Sequence, residues 1–110
     1  MGKRTLLGEF ELLVLATLVR LGDDAYGAAV YRELEERTGH AFAMGGVYTT
    51  LYRLEEKGLV SSTVGDPTPV RGGRSRRYFK IEAPGVEAVR NSVGALAALL
   101  EDTGLEWSAS

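Results

Sequence analysis

The chain has 110 residues, enough for one domain with a real core and too few for two ordinary ones. A hydrophobic fraction of 45% with 25% charged residues excludes a mainly disordered chain, and the absence of cysteine excludes disulfide frameworks, thiolate metal sites and cysteine nucleophiles. The formal net charge of −2 is unevenly spread, with residues 1–58 summing to −2, residues 59–80 to +4 and residues 81–110 to −4. Exposed charges more than ~10 Å apart hardly interact in salt, so attraction for polyanions is concentrated in the middle segment.

In chain order, EFELLVLATLVRL from Glu9 to Leu21 repeats Phe10, Leu13, Val14, Leu18 and Leu21 at helical spacing, which predicts a helix with little exposed surface. Its apolar run, like that from Ala95 to Leu100, is far shorter than the ~20 residues of a membrane span. Glu9 and Glu11 interrupt any signal-like segment, so a cytoplasmic protein with no membrane partner is expected. Gly22 is a stop, and Asp23 and Asp24 offer a cap for a second, amphipathic helix to about Thr38, with Tyr26, Val30 and Leu34 on its apolar stripe. Gly39 ends it.

The segment GGVYTTLYRLEEKG, Gly45 to Gly58, puts Val47, Leu51 and Leu54 inward and predicts a short third helix. Leu59 to Val64 and Tyr78 to Ile81 read as the two strands of a hairpin around the turn-rich GDPTPVRGGRS. Pro84 suits the first position of a last helix, in which Val86, Val89, Val93, Leu96 and Leu100 form a seam spaced three and four apart. Such a seam requires a partner. The tail from Thr103 has no clear period, and Trp107 is its largest apolar group.

Three helices, a hairpin and a last helix predict a mainly α fold with a small β-hairpin: a winged helix-turn-helix over 1–82 and a C-terminal dimerisation helix and tail over 83–110. In a helix-turn-helix the second helix of the pair enters the major groove by its N-terminal residues. The outward positions there are Gly46, Tyr48, Thr49 and Thr50, with Tyr52 and Arg53 one turn on. Hydroxyls reach phosphates or bases, and arginine grips guanine in two places. The hairpin loop adds Arg71, Arg74, Arg76 and Arg77 with Asp66 its only acid, the composition of a wing that grips phosphate. Each residue also has a plainer reading: the tyrosines as half-buried core, Arg53 as a partner of Glu56, the wing as a tip kept soluble by charge.

Catalysis has little support. His40 stands alone in a turn, the pairs Asp23–Asp24 and Glu55–Glu56 suit caps and solvation, and no phosphate-loop, nucleophile-elbow or zinc-protease pattern occurs. No enzyme, metal or cofactor is expected. Two readings stay open: a sequence-specific DNA-binding dimer, or a winged-helix module that docks on an acidic protein without reading DNA.

The segments GEFELLVLATL, AYGAAVYREL, GGVYTTLYRLEEKGLV and GGRSRRYFKIEAPG, in that order between about Gly8 and Val93, resemble the PadR family of transcriptional regulators, its small members with one C-terminal helix. The resemblance implies a homodimeric repressor on double-stranded DNA with a palindromic operator. Its last helix would pair with the partner subunit, often against the first helix, which assigns Phe10, Val14, Val86, Val89, Val93, Leu96 and Leu100 to the dimer interface. It implies DNA contacts by the wing, here Arg74, Arg76 and Arg77. Many members release DNA on binding a small aromatic effector, for which this chain offers the dimer interface, with Trp107 as a stacking group. Ala43 and Thr49 depart from the family's usual serine and proline, so the family's operator sequence does not carry over.

Overall fold

The computed structural model describes residues 6–65 and 76–105. Four helices and one antiparallel hairpin follow in the expected order: α1 (Glu9–Leu21), a 3-10 turn (Gly22–Asp24), α2 (Gly27–Thr38), α3 (Met44–Glu56), β1 (Val60–Val64), β2 (Arg77–Ile81) and α4 (Ala83–Leu100). In α1 the acids Glu9 and Glu11 lie in the first turn and Arg20 in the last, which suits the helix dipole. The helix stops at Gly22, whose φ of 59° only glycine adopts freely and whose N–H donates to the Leu18 carbonyl.

The start of α2 differs from the expectation. Asp23 and Asp24 form the 3-10 turn and neither caps α2; the residue before the helix is Tyr26, extended at φ −95° and ψ 161° with no side-chain cap. The cause is tertiary. The Phe79 N–H donates to the Ala25 carbonyl at 2.8 Å, and Tyr26 pairs with Tyr78 as an isolated antiparallel bridge. Ala25, at φ −91° and ψ 71°, turns the chain with the Tyr26 N–H donating to Asp24 O at 3.1 Å, Tyr26 makes its single bridge to β2, and the helix begins only afterwards.

Helix α3 closes with Leu59 N–H donating to Leu54 O and Gly58 N–H to Glu55 O, both at 3.0 Å, around Gly58 at φ 78°. This paired termination reverses the chain into β1 and buries Leu59. The hairpin register runs from Val60↔Ile81 to Val64↔Arg77, so Ser62, Phe79 and Arg77 share the face toward the helices. Val14, Leu15, Val30, Val47, Leu51, Leu54 and Phe79 are fully enclosed in the core where α1, α2, α3 and the hairpin meet. Burial of each such side chain contributes about 1.5–3 kcal/mol relative to exposure.

Two expected positions are corrected by this packing. Val14 was assigned to a dimer interface, yet it is 0% exposed within the single chain because its face of α1 meets the core. Thr50 was read as outward, yet it is only 5% exposed, since it flanks Val47, Leu51 and Leu54 on a stripe wider than apolar residues alone mark.

The inward face of α4 consists of Gly85, Ala88 and Ser92, small residues that let the helix approach closely. A β-carbon on Gly85 would overlap the Leu59 carbonyl oxygen and lie 2.8 Å from Ile81 Cγ1. Ser92 Oγ accepts the Leu7 N–H at 2.9 Å, and Ser61 Oγ donates to the Glu82 carboxylate at 2.5 Å just ahead of the helix. The Val86–Leu100 seam is turned aside from this contact: Val86, Val89 and Val93 are half-buried, and Leu96 is 48% exposed. Gly85→Ala is expected to destabilise the fold by about 1–3 kcal/mol, because the clash is with backbone that cannot rotate away. The urea midpoint of the variant checks this.

Candidate nucleic-acid interface

The outer side of α3 begins with almost no charge. Met44 (40% exposed), Gly45, Gly46, Tyr48 and Thr49 make up its first turns, followed by Tyr52 and the exposed Arg53. Ala43, extended at φ −86° and ψ 128°, provides no side-chain cap, so the leading amides have no acceptor from that residue. Met44 was missed by the sequence reading. Its signal was there, since it falls four residues before Tyr48 and eight before Tyr52 on one helical face.

Tyr48 is half-buried because its ring lies directly over the α-carbon of Gly27 at the first turn of α2; a β-carbon there would collide with Cζ and Oη. The close approach holds the Tyr48 hydroxyl at the α2 N-terminus. A row of rings continues toward the hairpin. Tyr48 and Tyr52 centroids are 6.5 Å apart and nearly parallel, and Tyr52 meets Phe79 edge-on at 5.7 Å. Helix α3 is thereby packed against β2 through side chains that also line its outer surface.

Two described wing arginines converge on the same place from the other side. Arg76 lies 4.2 Å above the Tyr26 ring, which itself packs edge-on against Tyr78 at 5.7 Å. Arg77 Nη1 donates to Ser62 Oγ at 3.0 Å, and Ser62 Oγ donates to Glu55 at 2.7 Å, linking β2 to α3 through β1. Tyr26, Gly27, Ala28, Tyr48, Arg76 and Arg77 surround an open cleft of about 280 Å³ at the α2 N-terminus. Arg32 Nη2 donates to Tyr26 Oη at 3.4 Å. That hydrogen bond holds the Tyr26 hydroxyl below its ordinary pKa, opposed by partial desolvation and aided by the charges of Arg76 and Arg32.

The cations sort into two groups. Arg20 and Arg37 share Glu33 at 3.1 and 3.6 Å, Lys57 pairs with Glu11 at 2.8 Å, and Arg90 with Glu87 at 3.8 Å. Among the described residues no ion pair involves Arg32, Arg53, Arg76, Arg77 or Lys80; the pairing of Arg53 with Glu56 is not made. Arg71, Arg74 and Trp107 lie outside the described residues. Of the residues assigned to a dimer interface, Phe10 stacks on Phe42 at 5.4 Å, and the α4 seam lies partly open beside Leu99, 77% exposed and also missed in the sequence. Among the described residues no three potential metal ligands cluster, and no helix is long and apolar enough to cross a membrane.

A three-helix core with the third helix open along one side, and a hairpin bearing arginines next to it, defines a winged helix-turn-helix protein. The chain belongs to the PadR-like family of transcriptional regulators, whose family model matches residues 14–91. Among solved structures it is similar to a PadR family transcription regulator from Clostridium difficile R20291, with TM-score 0.74, 22% identity, and 88% of this chain and 96% of that one covered. A PadR family regulator from Eggerthella lenta DSM 2243 aligns with TM-score 0.69 and 24% identity over 87% of this chain and 83% of that one. RosR of H. salinarum aligns with TM-score 0.66 and 26% identity over 87% and 79%. None of the curated proteins searched matches the chain.

The contact between Tyr48 and Gly27 is testable by a double-mutant cycle. Gly27→Ala alone is expected to destabilise the protein, and Tyr48→Leu to relieve most of the loss, with a coupling of about 0.5–3 kcal/mol in chemical denaturation.

Proposed function

We propose that this regulator is a repressor that binds double-stranded DNA as a homodimer, placing α3 in the major groove of each half of a palindromic operator and the wing along the backbone. The observation that carries the reading is the sorting of cations: among the described residues Arg53, Arg76 and Arg77 form no ion pair and lie beside the open face of α3, while Arg20, Arg37 and Arg90 are paired with glutamates. Phosphate contacts position the protein, and α3 reads bases through Gly46, Tyr48, Thr49, Tyr52 and Arg53, with Met44 meeting apolar base edges. Arg71 and Arg74 extend the same basic segment in the sequence. The protein acts by occupying DNA, without catalysis.

Dimerisation follows from α4. Its Val86–Leu100 seam and Leu99 are left by the single chain with apolar surface that a second copy covers, together with Val19, exposed on α1. A recess of about 270 Å³ between α1, β2 and the start of α4 is lined by Leu18, Val19, Ile81 and Val86. Its apolar walls suit a small aromatic effector that would tilt α4 and release DNA.

Selection of bound duplexes from a random pool tests the reading. Inverted repeats with centres about one helical turn apart are expected; unrepeated or random sequences refute it. With roughly 8 phosphates neutralised per dimer, log K should fall against log salt with a slope of about −7. The pair Val93→Glu with Leu96→Glu should sediment as a monomer and lose at least tenfold in operator affinity, since half-site binding is then no longer coupled.

A further inference from the structure

We propose that Arg32 and Tyr26 form a phosphate-binding contact on α2, which continues the grip of Arg76 and Arg77 from the wing onto the body of the domain. The inference rests on the DNA-binding reading above and adds the atoms that meet a second stretch of backbone. Arg32 lies on the polar side of an amphipathic helix, and nothing in the wing's composition points to it.

Three observations combine. Arg32 is exposed, and its guanidinium is directed by a hydrogen bond to Tyr26 Oη at 3.4 Å, beside the cleft that Tyr26 shares with Arg76 and Arg77. Arg76 stacks on the same ring at 4.2 Å, so one tyrosine orients two guanidiniums, Arg76 at its face and Arg32 at its hydroxyl. The other arginine of α2, Arg37, shares Glu33 with Arg20, whereas Arg32 has no ion pair among the described residues.

The chemistry suits a phosphodiester. Tyr26 Oη accepts from Arg32 and keeps its own O–H to donate, while Arg32 retains further N–H donors in a planar fork that matches phosphate oxygens. Orientation by the ring reduces the side-chain freedom lost on binding. Glu36, one turn on along α2, acts on the Arg32 charge without forming an ion pair, so the guanidinium keeps its donors for an incoming anion, and the adjacent arginines point to the same polyanion.

The test uses the full-length protein, the duplex selected above and an unrelated duplex, with binding measured by fluorescence anisotropy from low to moderate salt. Arg32→Gln should weaken binding to both duplexes by about tenfold at ~0.15 M salt and flatten the slope by about 2 per dimer, one phosphate for each subunit. Tyr26→Phe, which keeps the ring under Arg76, should weaken both modestly with the slope unchanged. Arg37→Gln, with far-UV circular dichroism and melting as controls for all variants, should bind as the unmutated protein does. Unaltered affinity and slope in Arg32→Gln, an equal loss of slope in Arg37→Gln, or a changed sequence preference in Arg32→Gln would each overturn the contact while leaving DNA binding intact. Failure of the unmutated protein to bind either duplex overturns the DNA reading itself, and is seen before any variant is compared.

Discussion

Phe79 joins the parts of this protein that matter for its surface. Its ring is 1% exposed, with the edge of Tyr52 from α3 against it, and its backbone N–H reaches across to the Ala25 carbonyl ahead of α2. One residue therefore fixes the wing against the recognition helix by apolar contact and against the start of α2 by a backbone hydrogen bond. Because the Ala25 carbonyl is held by Phe79 and Tyr26 is bridged to Tyr78, α2 opens at Gly27, under the Tyr48 ring and beside Arg76. A buried aromatic ring of this size is among the larger single contributions to a small core. Its loss would loosen the relation between three elements at once.

Electrostatics then acts on a frame already set by packing. The chain as a whole is acidic, and several of its acids are used within the domain: Glu33 holds two arginines, Glu11 holds Lys57, Glu55 accepts from Ser62 and Glu82 from Ser61. Among the described residues the cations without an ion pair are Arg32, Arg53, Arg76 and Arg77, around Tyr26 and the outer side of α3, and Lys80 on β2. Exposed pairs of this kind add little to stability. Their effect is on the distribution of charge, which favours approach of a polyanion on the side carrying Arg32, Arg53, Arg76 and Arg77.

The last helix meets the rest of the domain through its smallest residues. Gly85 against Leu59, Ala88 in the core and Ser92 on the Leu7 amide bring α4 close while leaving its valines and leucines to one side. A close backbone approach with a hydrogen bond at either end is a stiff joint. In the proposed dimer, that stiffness carries the separation of the two recognition helices from the α4 pairing to the DNA, and a small change in tilt at Gly85 becomes a larger displacement at α3.

The helices, the hairpin and their order were legible in the sequence because apolar spacing and glycine stops are local: Gly22, Gly39 and Gly58 sit at positive φ where the periodic runs end. The open face of α3 was legible too, except at Met44 and Thr50, where an apolar residue points outward and a polar one inward. What tertiary structure decided was every contact between segments distant in the chain. Asp23 and Asp24 had the composition of a cap, but the pull of Phe79 on Ala25 overrode that propensity. The family resemblance assigned Val14 to an interface, and only packing showed that its side of α1 faces inward. Arg32 looked like any solvated arginine until the fold brought Arg76 over the same tyrosine. Periodicity states which residues share a face of one element; it carries no information on which element that face meets, and that relation determines both the core and the shape of the charged surface.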